Sequence, residues 1–214
     1  MSEPGLSPRV IDYPSSDGKP MTESEAQFLP LTYAALALRA HFGARDDVYV
    51  GANMFLYFEE NNPRAVVAPD VFVVIGTPKH VRDSYLLWNE PKGPDFVLEI
   101  TSRSTRGEDQ GRKKRIYASL GVGEYFLFDP TGDYLRPRLQ GFALREGRYE
   151  RLPEVRLPQG EPSLASARIG LHLVVRDNAL RLHDPATGRD LLTYAESVER
   201  IAELELLLRK ARAE

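Results

Sequence analysis

The alternation of apolar and polar positions divides this chain into elements before any chemistry is considered. In "DFVLEITSRST", residues 95–105, Phe96, Leu98 and Ile100 point one way and Val97, Glu99 and Thr101 the other, which predicts a strand over 95–101. Upstream, "VYVGANMFLYFEENNPRAVVAPDVFVVIG" holds two strand-like runs, about 48–58 and 66–75, on either side of a turn segment from Glu59 to Arg64, a hairpin signal. Residues 76–94 are polar and read as a loop containing Trp88, and "EYFLFDP" reads as a further strand closed by Asp129-Pro130. Two or three more short strands are expected over about 138–152 and 169–184.

Helical periodicity occupies three places. Thr22 with Glu25 three residues on forms a capping box that opens a helix over about Glu23 to Phe42, with Pro30 expected to kink or divide it and Gly43 to stop it. A second helix runs from Thr105 to Leu120 and ends at Gly121 and Gly123. The tail, 191–214, is helical from Tyr194, with Ile201, Leu204, Leu208 and Ala211 at three-to-four spacing. Packing on its own domain is the expected role of that stripe, with a dimer seam as the alternative. Pro4, Pro8, Pro14 and Pro20 make residues 1–21 an extended arm, which leaves 22–190 as the main domain. The order α-β-β-β-α-β predicts an α/β fold, a mixed sheet core flanked by helices on both sides.

Composition excludes more than it assigns. The chain has 214 residues, 42% hydrophobic, with a net charge of −3, one ordinary domain able to bury a real core. With no cysteine there are no disulfides, thiolate metal sites or cysteine nucleophiles. Neither a membrane-spanning run nor a signal peptide is visible, so a cytoplasmic location is expected by default. The four histidines (His41, His80, His172, His183) show no paired metal spacing, and no phosphate loop or nucleophile elbow is present. A pI near 5.9 argues against a broadly basic nucleic-acid-coating protein. Locally, however, Arg103 to Arg115 carries six cations against two acids. A solvated helix face is the plain explanation of that run.

Carboxylates are where the pattern is broken. Asp70 follows Pro69 inside an apolar run, and Glu99 sits mid-strand between Val97 and Thr101. A carboxylate in such company is expensive to bury unless a cation neutralises it. Placed on neighbouring strands, Asp70 and Glu99 could share a hard divalent cation. Asp95 also follows a proline, but four strand steps separate it from Glu99 by about 13 Å, too far to chelate one ion. Along the second helix Asp109, Lys113 and Tyr117 recur at i, i+4 and i+8 beside Ile116 and Leu120, so the stripe that should face the sheet carries an acid and a base. Either Asp109 and Lys113 form a surface pair worth about 0.2–0.5 kcal/mol, or Lys113 reaches back to the strand in place of the lysine absent at Thr101; the apolar neighbours favour the second. A carboxylate-held metal beside a lysine suits phosphodiester hydrolysis, with Arg103 and Arg106 as phosphate contacts.

The segments "VVAPDVFVV", "FVLEITSRST", "DQGRKKRIY" and "GVGEYFLFDP" resemble, in order and spacing, the Uma-two family of restriction-endonuclease-like proteins, over about residues 20 to 185. That family is placed in the PD-(D/E)xK nuclease superfamily. The resemblance implies a restriction-endonuclease-like core acting on DNA, with magnesium (manganese as a substitute) bound by Asp70 and Glu99. It implies Lys113, four residues after Asp109, as the catalytic lysine, and Thr101 at the slot where the superfamily usually has one. It also implies a supporting acid from the first helix, for which Glu23 and Glu25 are both candidates. Two readings stand: a metal-dependent endonuclease, expected to act as a homodimer on both strands, or a catalytically silent nuclease-fold scaffold that self-associates through its C-terminal helix. Hydrolysis of another phosphoester is a third.

Overall fold

The computed structural model describes residues 11–15 and 24–212. The chain order is α1 (Glu25–His41), β1 (Val48–Ala52), β2 (Leu56–Tyr57), β3 (Val66–Val67), β4 (Val71–Ile75), β5 (Tyr85–Leu86) and β6 (Phe96–Ile100), followed by α2 (Arg106–Glu108), a π turn (Asp109–Lys113) and α3 (Lys114–Ser119). Then come β7 (Glu124–Phe128), β8 (Leu139–Arg145), β9 (Arg148–Arg151), β10 (Val155–Arg156), β11 (Pro162–Ser166), β12 (Leu171–Arg176), β13 (Ala179–Asp184), β14 (Arg189–Asp190) and α4 (Tyr194–Ala211).

A six-stranded sheet, ordered β1-β4-β6-β7-β8-β9, forms the centre. It is mixed: β6 and β7 run parallel while the other neighbours are antiparallel. Strand alternation then builds two cores. Phe96, Leu98 and Ile100 face α1, whose Leu31, Ala34 and Leu38 lie on one stripe, and β11, β12 and β13 close the same core with Leu164, Leu173 and Leu182. Val97, Phe72, Tyr125 and Leu127 face the other way, against Tyr117 of α3 and the small sheet β3-β2-β5. Helices therefore flank both faces, as the element order predicts.

Several expectations need correcting. The first helix begins at Glu25 after Ser24, whose side chain makes no cap hydrogen bond; Thr22 lies outside the described residues. Pro30 does not divide the helix, which runs from Glu25 to His41 with the proline inside it; the missing N–H removes a single i→i−4 bond. The hairpin exists, but each of its runs is cut in two: β1 pairs β4 and β2 pairs β3. Asn53, with φ of 47°, makes one break, and Pro69, which cannot donate to a ladder, stands at the other. The loop over 76–94 contains a short strand, β5, parallel to β2. The region after residue 138 holds a second sheet, β10-β11-β12-β13-β14, more strand than expected. Of the N-terminal arm, the described part docks on β2: Tyr57 donates to the Pro14 carbonyl at 2.6 Å, and the Tyr13 ring meets Tyr57 edge-on and Trp88 at a tilt.

The C-terminal helix departs furthest from expectation. α4 opens with a capping box between Thr193 and Glu196, and an ion pair from Arg181 to Glu196 ties its base to β13. None of its residues is buried and every one from Val198 on is exposed, so beyond its first turn it does not pack on its own domain. No helix among the described residues is long and apolar enough to cross a membrane.

Candidate active site

Continuing the β4–β6 register one step beyond the Val71–Leu98 pair sets Asp70 opposite Glu99. Pro69 ends the pairing just before, which frees the Asp70 side chain to turn inward, where its Oδ2 accepts from the Ile100 N–H at 2.6 Å. Glu99 is 1% exposed. Its two oxygens are taken by the helix stripe: Tyr117 donates to Oε1 at 2.6 Å and Lys113 Nζ to Oε2 at 2.8 Å. Lys113 Nζ also lies 3.1 Å from Asp109 Oδ1. That approach is an ion pair only, since both carboxylate oxygens of Asp109 are buried without a hydrogen-bond donor.

The sequence reads as one regular helix here, but the structure places a π turn over Asp109–Lys113. Such turns are uncommon and concentrate at functional sites. Widening the helix at this point leaves the main-chain carbonyl of Asp109 pointing into the core, where the Tyr125 hydroxyl donates to it at 2.9 Å. Tyr125 is the residue that the sequence reading missed. Its signal was a phenol next to the apolar run Phe126–Phe128, since a buried Tyr hydroxyl needs a partner.

The electrostatics are lopsided. Burial pushes the Glu99 carboxyl up to about 8; Lys113 opposes this, while Asp70 and Asp109 add to it. Burial likewise raises Asp70 to about 6 against the pull of Lys113 and the Ile100 N–H. For Lys113, burial works against the charge, yet Glu99, Asp109 and Asp70 overcome it and hold the ammonium above its ordinary range. Burial and the adjacent Glu99 carboxylate raise the Tyr117 phenol far above its usual value. Three acids thus surround a single ammonium, and two negative charges are left over when all are ionised. That excess, presented by oxygen donors, fits a divalent cation of the magnesium kind, which commonly takes one or two protein carboxylates. Among the described residues no three acidic or histidine side chains are grouped closely enough to hold one ion together.

The other expected residues fall outside this cluster. Glu25 is exposed in the first turn of α1, and no hydrogen bond or ion pair joins it to Asp70, Glu99 or Lys113. Glu23 lies outside the described residues. Arg103 and Arg106 are exposed in the segment after β6. Arg103 lines a cleft of about 550 Å³ shared with Thr101, Ser104, Gln27 and Thr131, and Arg106 lies over the Tyr134 ring at 5.7 Å. Thr101 is fully buried and its hydroxyl has no partner. Asp95 is occupied elsewhere, accepting from the Ile75 N–H at 2.8 Å and from Lys92 Nζ at 2.6 Å.

No curated protein matches the chain. Among solved structures, a crystal structure described as "a putative nuclease belonging to DUF820" from Anabaena variabilis ATCC 29413 is similar at 14% identity and a TM-score of 0.48, covering 66% of this chain and 76% of that one. A family model described as "Putative restriction endonuclease" matches residues 19–176, a span that contains every side chain of the cluster around Glu99. With most of its length matched, the chain belongs to that family, Uma2.

Proposed function

We propose that the protein is a metal-dependent endonuclease that hydrolyses phosphodiester bonds in DNA. One observation carries the reading: two carboxylates raised in pKa, Asp70 and Glu99, stand opposite each other beside the buried ammonium of Lys113. Family membership supports it. Asp70 and Glu99 would hold the ion, magnesium or manganese. When bound, such an ion polarises a phosphoryl oxygen and lowers the pKa of an attacking water.

The remaining work falls to the chain's own side chains. Lys113 has three protons to donate; Glu99 accepts one, and Asp109 draws another by charge without a hydrogen bond. The third is free to orient a water or to meet charge developing on the phosphate, and at 12% exposure the side chain reaches the surface. Tyr117 locks the Glu99 carboxylate in one orientation, and Tyr125 locks the turn that carries Asp109. Arg103 and Arg106, exposed next to the cleft, suit contacts to neighbouring backbone phosphates.

Nicking of supercoiled plasmid by purified protein in magnesium or manganese tests the reading, beside Glu99→Ala and Lys113→Ala prepared identically. The expected result is metal-dependent nicking that both substitutions abolish. Equal nicking by all three proteins, or none together with no divalent binding by calorimetry, overturns it. The scaffold reading rests on a different observation, the uncovered α4.

A further inference from the structure

The last helix raises a question that the nuclease reading does not answer. α4 is 18 residues long, and from Ile201 to Arg212 every residue is exposed. A helix of this length in water is marginal on its own, and most helical stability comes from covering an apolar face. Its capping box and its Arg200–Glu203 and Glu205–Arg209 pairs help, but surface pairs contribute little. Meanwhile Tyr194, Val198, Ile201, Leu204, Leu207 and Leu208 stand 48–76% exposed.

Tyr194, Ile201 and Leu208 recur every seven residues. With Tyr194, Ile201 and Leu208 at a, the d positions are Ser197, Leu204 and Ala211. That seam is continuous along one side of the helix. The flanking positions show what it fits. Position g of the first heptad is Arg200 and the following e position is Glu205. In a parallel pair g of one helix lies beside the next e of the other, so two copies aligned in register form Arg200–Glu205 contacts on both sides of the seam. An antiparallel pair sets g against g and e against e, and the alignment that gives Arg200 an acid, Glu214, also sets Glu205 against Glu205. The helix is thus complementary in charge to itself in one orientation.

At its root the seam runs into more uncovered apolar surface. Tyr194 and Leu192 border a groove of about 710 Å³ between α4 and α1, where Phe28, Leu29 and Leu36 are 45–57% exposed. Contiguous patches of this kind mark interaction surfaces.

We propose that α4 pairs with α4 of a second copy as a parallel, in-register two-helix coiled coil whose seam is Tyr194, Ile201, Leu204, Leu208 and Ala211, flanked by Arg200–Glu205 contacts. The assignment is independent of catalysis and holds for a silent scaffold as well as for a nuclease.

Light scattering on the full-length chain at micromolar concentration, with three kinds of variant, tests it. The wild type is expected to be a dimer, and I201E/L208E a monomer whose domain unfolds like that of the wild type. Arg200→Glu and Glu205→Arg should each weaken dimerisation about tenfold or more by setting like charges across the seam. The double exchange R200E/E205R should restore it, and mixing the two single variants should give a heterodimer. A monomeric wild type, or a dimer that survives I201E/L208E, overturns the proposal. Single reversals without effect, or a double exchange that fails to rescue, overturn the parallel register.

Discussion

Replacing Glu99 by glutamine tests whether the carboxylate is held at a cost in the metal-free fold. Burial is the first cause of its displacement from 4.5 to about 8. At about 1.4 kcal/mol for each pH unit, ionising this group inside the fold costs roughly 4–5 kcal/mol more than in the unfolded chain. The folded value lies above the unfolded one, so the fold binds the proton more tightly. The associated stability is therefore complete below about pH 4.5 and is lost as the pH rises through about 8. Glutamine keeps the size and can still accept from Lys113, but it has no proton to lose. Lys113 would surrender its nearest counter-ion, which offsets part of the gain. Denaturant unfolding of both proteins in chelator, from about pH 4 to about pH 9, should show Glu99→Gln gaining on the wild type as the pH rises, by about 2–4 kcal/mol at the alkaline end. Excess magnesium should then stabilise the wild type and leave the variant unchanged. Parallel pH curves, or a variant weaker throughout, would refute the reasoning.

Tyr117→Phe removes the 2.6 Å hydrogen bond to Glu99 Oε1; it should cost about 1.5–3 kcal/mol above pH 8, where the acceptor is charged, and less in acid. The same change should move the acid limb of metal-dependent cleavage to higher pH, because the lost donor favoured the ionised form. Arg82→Met separates structure from catalysis. Arg82 donates to both oxygens of Glu90 in a buried pair and lies 4.2 Å from the Tyr49 ring. Its loss should lower stability by about 3–5 kcal/mol in chemical unfolding, while cleavage per folded molecule stays at the wild-type level.

The central sheet was legible in the sequence because burial on both faces writes near-continuous apolar runs, whose residues then part alternately between two cores: Phe96, Leu98 and Ile100 went to one, and Val97 to the other with Glu99 on its face. The cluster around Glu99 was legible for a related reason, since a carboxylate in an apolar strand is costly enough to need partners, and Lys113 and Tyr117 supply them. The π turn was hidden because residues four apart share a face in either helix type, so Asp109 and Lys113 give the same pattern with or without it. β12 and β13 fall in the run expected over about 169–184, but β10, β11 and β14 escaped notice for want of long apolar runs: β10 and β14 have two residues each, and β11 opens on Pro162. The break at Asn53 depends on one positive φ, which asparagine tolerates without announcing it. Most instructive is α4, whose stripe was read as inward-facing; periodicity records that a face must be covered and is silent on which molecule covers it.

The π turn has a consequence for how this site can be altered. A wide turn holds one residue more than the regular helix around it needs, so Gly111 or a neighbour could be deleted and the helix would close up without shortening its hold on the sheet. Lys113 and Tyr117 would stay in place with α3, anchored from the far side of the gap. Asp109 would swing round with the segment before it, and Tyr125 would lose the carbonyl it holds. A single-codon deletion can therefore dismantle one half of the acid–base arrangement while the core is preserved. The fold and its chemistry are joined here by one spare amino acid.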